Sequence, residues 1–292
     1  MRTLIFSNIF IALAAVALTF ETFYLLGAAP AVHQTGSWGL GALVFFATLF
    51  VYNLDRLVSA SREDAVEVTE RHRWIRARRK WLWAAVSLST LGGLVSLAFV
   101  PVDVLWGLVP LGAISLAYSL PVIAQEGKKL RLKDLPGLKI FLIALVWASV
   151  TVVLPALAAG ADLFGADTAL AFVERTIFIF AITLPFDVRD LERDRQAGIR
   201  TLPMKLGAAR TRWLAVGLMV VFVAIVVAHY GLAVDGATVP LVASGLLTAV
   251  ALWFSDEVRG AMYYVGFLDG MMLVQGAMVV FFLISLPTWS AA

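Results

Sequence analysis

Cysteine is absent from this chain, so no disulfide braces it and no thiolate binds metal. Charge is scarce: 15% of residues are charged and 61% are hydrophobic. A soluble domain carries about 25% charged residues, so that class is excluded. Mean hydropathy is +0.89, as expected of a polytopic membrane protein. Low-complexity linkers are also lacking, and the polar loops are short. A single domain over 1–292 is therefore expected, as an all-α bundle of membrane helices.

A spanning helix needs about 20 apolar residues. Nine such runs are legible, with soft ends: 4–27, 37–57, 81–100, 103–124, 138–158, 170–187, 212–232, 238–255 and 262–287. The first run is read as a span and not as a cleaved signal peptide, because so many spans follow. The 23 Lys and Arg separate cleanly: eight follow run 2 (56–80), five follow run 4, seven follow run 6, Arg259 follows run 8 and Arg2 precedes run 1. Only Arg175 falls toward the other side. By the positive-inside rule the N-terminus and the even-numbered loops are cytoplasmic. The expected location is a bacterial-type inner membrane. Four helices separate the two longest basic segments, which suggests two parallel four-helix pseudo-repeats (about 1–124 and 138–255) plus a ninth helix, 262–287.

The polar residues cluster at helix ends. Run 6 closes on Phe186-Asp187-Val188-Arg189-Asp190-Leu191-Glu192-Arg193-Asp194. Asp187, Asp190 and Asp194, at i, i+3 and i+7, share one helical face. Carboxylates so close repel each other unless a cation joins them. Hard oxygens suit Mg²⁺, whose shell is commonly completed by water and phosphate oxygens. The spacing therefore points to a metal-bound diphosphate. A solvated helix end, with Asp187 paired to Arg189 and Asp190 to Arg193, satisfies the same spacing.

The run continues through Arg200-Thr201-Leu202-Pro203. Here the chain resembles the UbiA-type intramembrane prenyltransferase superfamily. That family's second signature is D-x-x-D-x-x-x-D with a basic-Thr-x-Pro trailer. The nine-run layout extends the resemblance over essentially the whole chain. It implies Mg²⁺-dependent transfer of an isoprenyl group from a polyprenyl diphosphate to a lipophilic acceptor, an aromatic or quinone precursor. Asp187, Asp190 and Asp194 fill the aspartate positions, and Arg200 opens the trailer. The family's first signature, N-D-x-x-D-x-x-x-D, should end run 2. Val51-Tyr52-Asn53-Leu54-Asp55-Arg56-Leu57 keeps only Asn53 and Asp55 of it. Glu63 and Asp64 follow out of step.

The expected catalytic set is Asp187, Asp190, Asp194, Asn53 and Asp55, with Asp187, Asp190, Asp194 and Asp55 on metal. After run 4, Tyr118 matches the family's tyrosine, but Val122 stands where its lysine belongs. The cationic duty is expected to pass to Lys128, Lys129, Arg131 or Lys133, with Lys133 and Lys139 preferred. Asn8 and Asp269 share the depth of the site, so both are candidates for substrate contact; helix-packing hydrogen bonds are the competing role. Glu21 and His229 lie toward the outer end, with His229 at the interface. Partners are then an isoprenyl diphosphate, the acceptor and membrane lipid, with no nucleic acid. Two other readings stay open: a terpene cyclase or lyase of the same superfamily, and a non-catalytic membrane protein or transporter.

Overall fold

The computed structural model describes residues 2–28, 35–60, 70–125, 128–135, 137–196, 201–232, 236–256 and 259–285. Among these the chain is helical apart from one short hairpin, β1 (Ile123–Gln125) with antiparallel β2 (Lys128–Leu130). The helices are α1 (Arg2–Phe6), α2 (Ile9–Leu25), α3 (Thr35–Ala60), α4 (Glu70–Ala77), α5 (Arg79–Leu97), α6 (Val102–Ser119), α7 (Lys139–Ala148), α8 (Leu154–Ala159), α9 (Ala166–Arg189), α10 (Leu191–Gln196), α11 (Leu202–Leu206), α12 (Ala208–Tyr230), α13 (Thr238–Trp253) and α14 (Asp269–Ile284). A π-helical turn, Ser149–Val153, joins α7 to α8, and another, Tyr263–Leu268, leads into α14.

The apolar runs fall on these helices, the first divided between α1 and α2 and the fifth between α7 and α8. Six are long and apolar enough to cross a membrane: Gly36–Ser59, Val102–Ser119, Lys139–Ala159, Ala166–Arg189, Ala208–Tyr230 and Tyr263–Ile284. Ile9–Leu25 and Thr238–Trp253 are apolar but shorter. The rod α5 opens on Arg79 and Lys80 and is not among the six. Exposed Trp81, Leu88, Leu91, Leu94 and Trp106 on α5 and α6 are the outward apolar surface expected of a helix facing lipid.

The core runs through the bundle, with Leu18, Phe23, Phe178, Phe222 and Tyr264 fully buried. Small residues set the closest approaches, as membrane helices require. A Cβ on Gly276 of α14 would lie 2.7 Å from the Ala17 carbonyl carbon of α2. The chain breaks between α1 and α2 at Asn8, whose φ of 66° lies in the left-handed region. Asparagine is among the few residues that adopt it readily.

The helices α3 and α9 each pack against several others. The first packs against α2, α5 and α6; the second against α7, α12 and α13. Their C-terminal ends carry Asp55 and Asp187, so the order of packing brings the two acidic ends to one region.

Candidate active site

Pro185 sits inside α9 two residues before Asp187. Its missing N–H leaves a carbonyl of the preceding turn without its helical partner. Asp187 is then buried, with only 3% of its side chain exposed. A buried carboxylate requires a cation or donors. Lys139, the first residue of α7, supplies one: Nζ donates to Asp187 Oδ1 at 2.6 Å. The charges of Asp187, Asp190 and Asp194 all act on this ammonium.

Asp190 is gripped by its neighbour. Arg189 donates from Nε to Oδ1 at 2.9 Å and from a terminal nitrogen to Oδ2 at 2.9 Å. The sequence spacing pairs Arg189 with Asp187; here Lys139 occupies Asp187 and the guanidinium turns to Asp190. It is held in place by stacking, 5.2 Å from the ring centres of both Phe186 and Tyr264. The Tyr264 hydroxyl in turn donates to the Asp256 carbonyl. Asp194 is buried on α10. Asp269 opens α14 and acts electrostatically on both Arg189 and Tyr52.

The other wall is the end of α3. Lys133 Nζ donates to Asp55 Oδ1, lies 3.4 Å from Ser59 Oγ and sits 5.3 Å from the centre of the Tyr118 ring. A 3-10 turn, Leu132–Asp134, carries this lysine. Arg131 closes the turn: its guanidinium and its backbone N–H donate to Asp134 at 2.8–3.1 Å, and Nη1 reaches Ser59 Oγ at 3.0 Å. Burial pushes the Lys133 ammonium below the ordinary lysine range; Asp55 opposes this, while Arg131 and Lys139 add to it. Tyr118 lies in the field of both Asp55 and Asp187. Tyr52 accepts from Trp147 Nε1 at 3.1 Å.

Asn53 takes a different place. It is fully buried, its Oδ1 accepts from Asn8 Nδ2 at 2.8 Å, and its own amide donates to the carbonyls of Leu49 and Ser7. Arg56, on the next turn, donates to the Phe6 carbonyl. Both residues hold the α1–α2 break. Asn8 and Asn53 thus bond each other, the helix-packing role, while Tyr118, Lys133, Lys139, Asp55 and Asp187 come together. Arg200, Glu63, Asp64 and the side chains of Arg193, Lys128 and Lys129 lie outside the described residues. Thr201 of the trailer is buried at the N-cap position of α11, where its hydroxyl makes no capping bond.

Sequence reasoning missed the stacked Arg189 clamp, Ser59 as a hydroxyl shared by two cations, and Arg56. Only Arg189 left a signal, its place beside Asp190. A second polar cluster lies toward the start of α9. Arg175 meets Glu21 of α2 at 3.0 Å and approaches Gln275 of α14 at 3.5 Å. His229 bonds Glu174 at 2.8 Å. His229, in the last turn of α12, is buried against Glu174 with 6% of its side chain exposed, and it lies 3.5 Å from the exposed Asp167 carboxylate at the start of α9.

The donor set suits Mg²⁺ in kind, since Asp187, Asp190, Asp194 and Asp55 are all hard oxygen ligands. No three acids or histidines among the described residues converge on one point. Lys139, Arg189 and Lys133 already cover oxygens of three of the aspartates. These carboxylates would supply only part of a Mg²⁺ shell, with the rest left to other oxygens.

Solved structures share this fold. A UbiA homologue from Archaeoglobus fulgidus bound to GPP and Mg²⁺ superposes with a TM-score of 0.65 at 14% identity, over 96% of each chain. An apo UbiA homologue from Aeropyrum pernix K1 gives 0.64 at 16%, over 93% of this chain and 96% of its own. A digeranylgeranylglyceryl phosphate synthase gives 0.59 at 15%, over 98% and 100%. No curated protein matches the sequence. The family model for UbiA prenyltransferases matches residues 69–260, a stretch that includes Asp187, Asp190, Asp194 and the Arg200-Thr201-Leu202-Pro203 trailer. With more than half its length matched, this integral membrane chain belongs to the UbiA prenyltransferase family.

Proposed function

We propose that the chain transfers an isoprenyl group from a polyprenyl diphosphate to a lipophilic acceptor, an aromatic or quinone precursor, at the cytoplasmic face of a bacterial-type inner membrane. One observation carries this reading: Asp187 with Lys139 and Asp55 with Lys133 stand on opposite walls around Tyr118. That is an anion site with both acidic and cationic parts at the mouth of a hydrophobic bundle. Relatives of this fold bound to GPP or DMAPP with Mg²⁺ support it.

Asp187, Asp190 and Asp194 would hold Mg²⁺, which when bound offsets charge on the departing diphosphate. Lys139 and Lys133 donate hydrogen bonds to the phosphate oxygens and favour heterolysis of the bond to the allylic carbon. Arg189 fixes the orientation of Asp190. Arg200, outside the described residues, keeps the substrate-binding role that its motif implies. The rings of Tyr118, Tyr52, Phe186 and Tyr264 line the way inward and present π faces to an allylic cation. Burial excludes water, so the cation survives until the acceptor attacks and loses its proton. Asn8, Asn53 and Asp269 place the helices that carry these groups.

The architecture proposed is nine spans in two parallel four-helix units plus the last helix. The matching neighbours of α3 and α9 support it, as does α14 packing against both α2 and α13. A terpene cyclase would use the same ionisation, and the shortened first signature favours keeping it in view. A transporter is disfavoured, because such proteins gather their polar groups near the midplane.

The test is incubation of membranes with labelled geranylgeranyl or farnesyl diphosphate, with and without Mg²⁺, followed by product identification. Prenyl transfer gives a labelled lipid only when acceptor lipid extract is present. Release of diphosphate and a hydrocarbon without acceptor identifies the cyclase. Consumption of neither diphosphate with any extract sinks both enzymatic readings.

A further inference from the structure

The geometry points to a site with a single divalent ion, in which the Lys133 ammonium, aimed by Asp55, occupies the role of a second ion at the end of α3. This rests on the prenyl-transfer reading above. A second Mg²⁺ needs several hard oxygens on that wall, because the ion demands a nearly complete octahedron. The described end of α3 offers one carboxylate, Asp55, and it already accepts from Lys133. The neighbouring positions are committed elsewhere. Asn53 is bonded to Asn8, Ser7 and Leu49. Arg56 brings positive charge and donates to the Phe6 carbonyl. Ser59 accepts from Arg131.

The lysine is held for the purpose. The Arg131–Asp134 pair closes the turn beneath it, so Arg131 is matched and Lys133 is the projecting cation. An ammonium has three donors. Asp55 takes one and Ser59 lies within reach of another, which leaves one to meet a phosphate oxygen. Among the described residues of this wall each carboxylate already has a cation, Asp55 with Lys133 and Asp134 with Arg131. On the α9 wall the balance differs, because three aspartates face Lys139 and Arg189. That wall gains from a divalent ion and the α3 wall does not. One Mg²⁺ leaves a diphosphate still anionic, and a charge-assisted bond from Lys133 takes up the remainder.

The experiment counts metal. The purified protein in detergent is titrated with Mn²⁺ in the presence of geranyl S-thiolodiphosphate, a non-ionising analogue, and bound Mn²⁺ is measured by electron paramagnetic resonance. The expected result is one Mn²⁺ per chain without Mn–Mn coupling. Lys133→Met should weaken analogue binding by about 10-fold to 100-fold, the loss of one charge-assisted hydrogen bond, with the metal count unchanged. Lys133→Arg should restore most of it. Two Mn²⁺ per chain overturn the inference and leave prenyl transfer standing, as does unchanged analogue affinity in a folded Lys133→Met. The metal count on the unaltered protein decides the matter even if that variant does not fold. Failure of the unaltered protein to bind the analogue at any Mn²⁺ concentration overturns the underlying reading instead.

Discussion

Asp187 and Lys139 form a buried pair that makes sense only as half of a larger charge arrangement. Two more aspartates act on the same ammonium, so the pair is matched at rest and over-supplied with negative charge around it. Asp187→Asn removes a hard oxygen ligand and leaves Lys139 with a weaker partner. Consumption of polyprenyl diphosphate by membranes should fall by about 100-fold or more. Lys139→Met should raise the diphosphate concentration needed for half-saturation by about 10-fold to 100-fold while keeping the dependence on Mg²⁺. Equal loss of metal dependence in both variants would argue against separate roles. Asp134 carries a different expectation. Burial pushes its carboxyl up, but the Arg131 hydrogen bonds and the charges of Arg131 and Lys133 outweigh this and hold it below its ordinary 3.8. A carboxyl depressed on folding contributes stability above its unfolded pKa, and that contribution fades as pH falls through the folded value. The Arg131–Asp134 lock should therefore be intact from neutral pH down to the ordinary carboxylate range and open only in stronger acid. Hydrogen exchange over 131–135 should stay slow at pH 5 and become fast at pH 7 in Asp134→Asn.

The elements were legible to different degrees. Every apolar run lies on a helical rod, because hydropathy in a lipid solvent is a one-body property of each residue. The acidic end of α9 was legible for the same reason: Asp187, Asp190 and Asp194 lie within two turns. The pairing of Lys133 with Asp55 spans 78 residues, and nothing local specifies it. Nor does the sequence say that Lys139 displaces Arg189 from Asp187, since that depends on how α7 packs against α9. The break at Asn8 was hidden for another reason. Run 4–27 is apolar enough to read as one span despite Ser7 and Asn8, and only the tertiary bonds from Asn53 and Arg56 reveal why the helix stops and restarts there. Asn53→Leu should cost about 1–3 kcal/mol of stability, because it strands the buried Asn8 amide and the Ser7 carbonyl. Thermal unfolding in detergent measures this. If Asn53 instead served the metal directly, the variant would lose Mn²⁺ binding at unchanged stability.

At the scale of the whole molecule the two ends of the bundle divide their work. At one end, charged side chains from α3, α9 and the 131–134 turn surround a site with partial exposure. At the other, Arg175 of α9 is almost wholly buried with Glu21 of α2, within reach of Gln275 of α14. About 12 residues of α9 separate Arg175 from Asp187, roughly 18 Å at 1.5 Å per residue. The Arg175 cluster joins α9, α2 and α14, and Gln275 lies 3.4 Å from Ser244 of α13. Such a knot fixes the far end, so any helix movement that admits a substrate is confined to the acidic end. Arg175→Leu strands Glu21 in the core and should cost about 3–5 kcal/mol. Pairing it with Glu21→Leu removes both charges and should recover much of that stability, since replacing a buried ion pair with apolar groups is often neutral. If the pair serves only to hold the far end, the double variant regains thermal stability and consumes diphosphate at the native rate. If stability returns but activity does not, the cluster takes part in the reaction from the far end of α9, and the division between a fixed end and a working end is wrong.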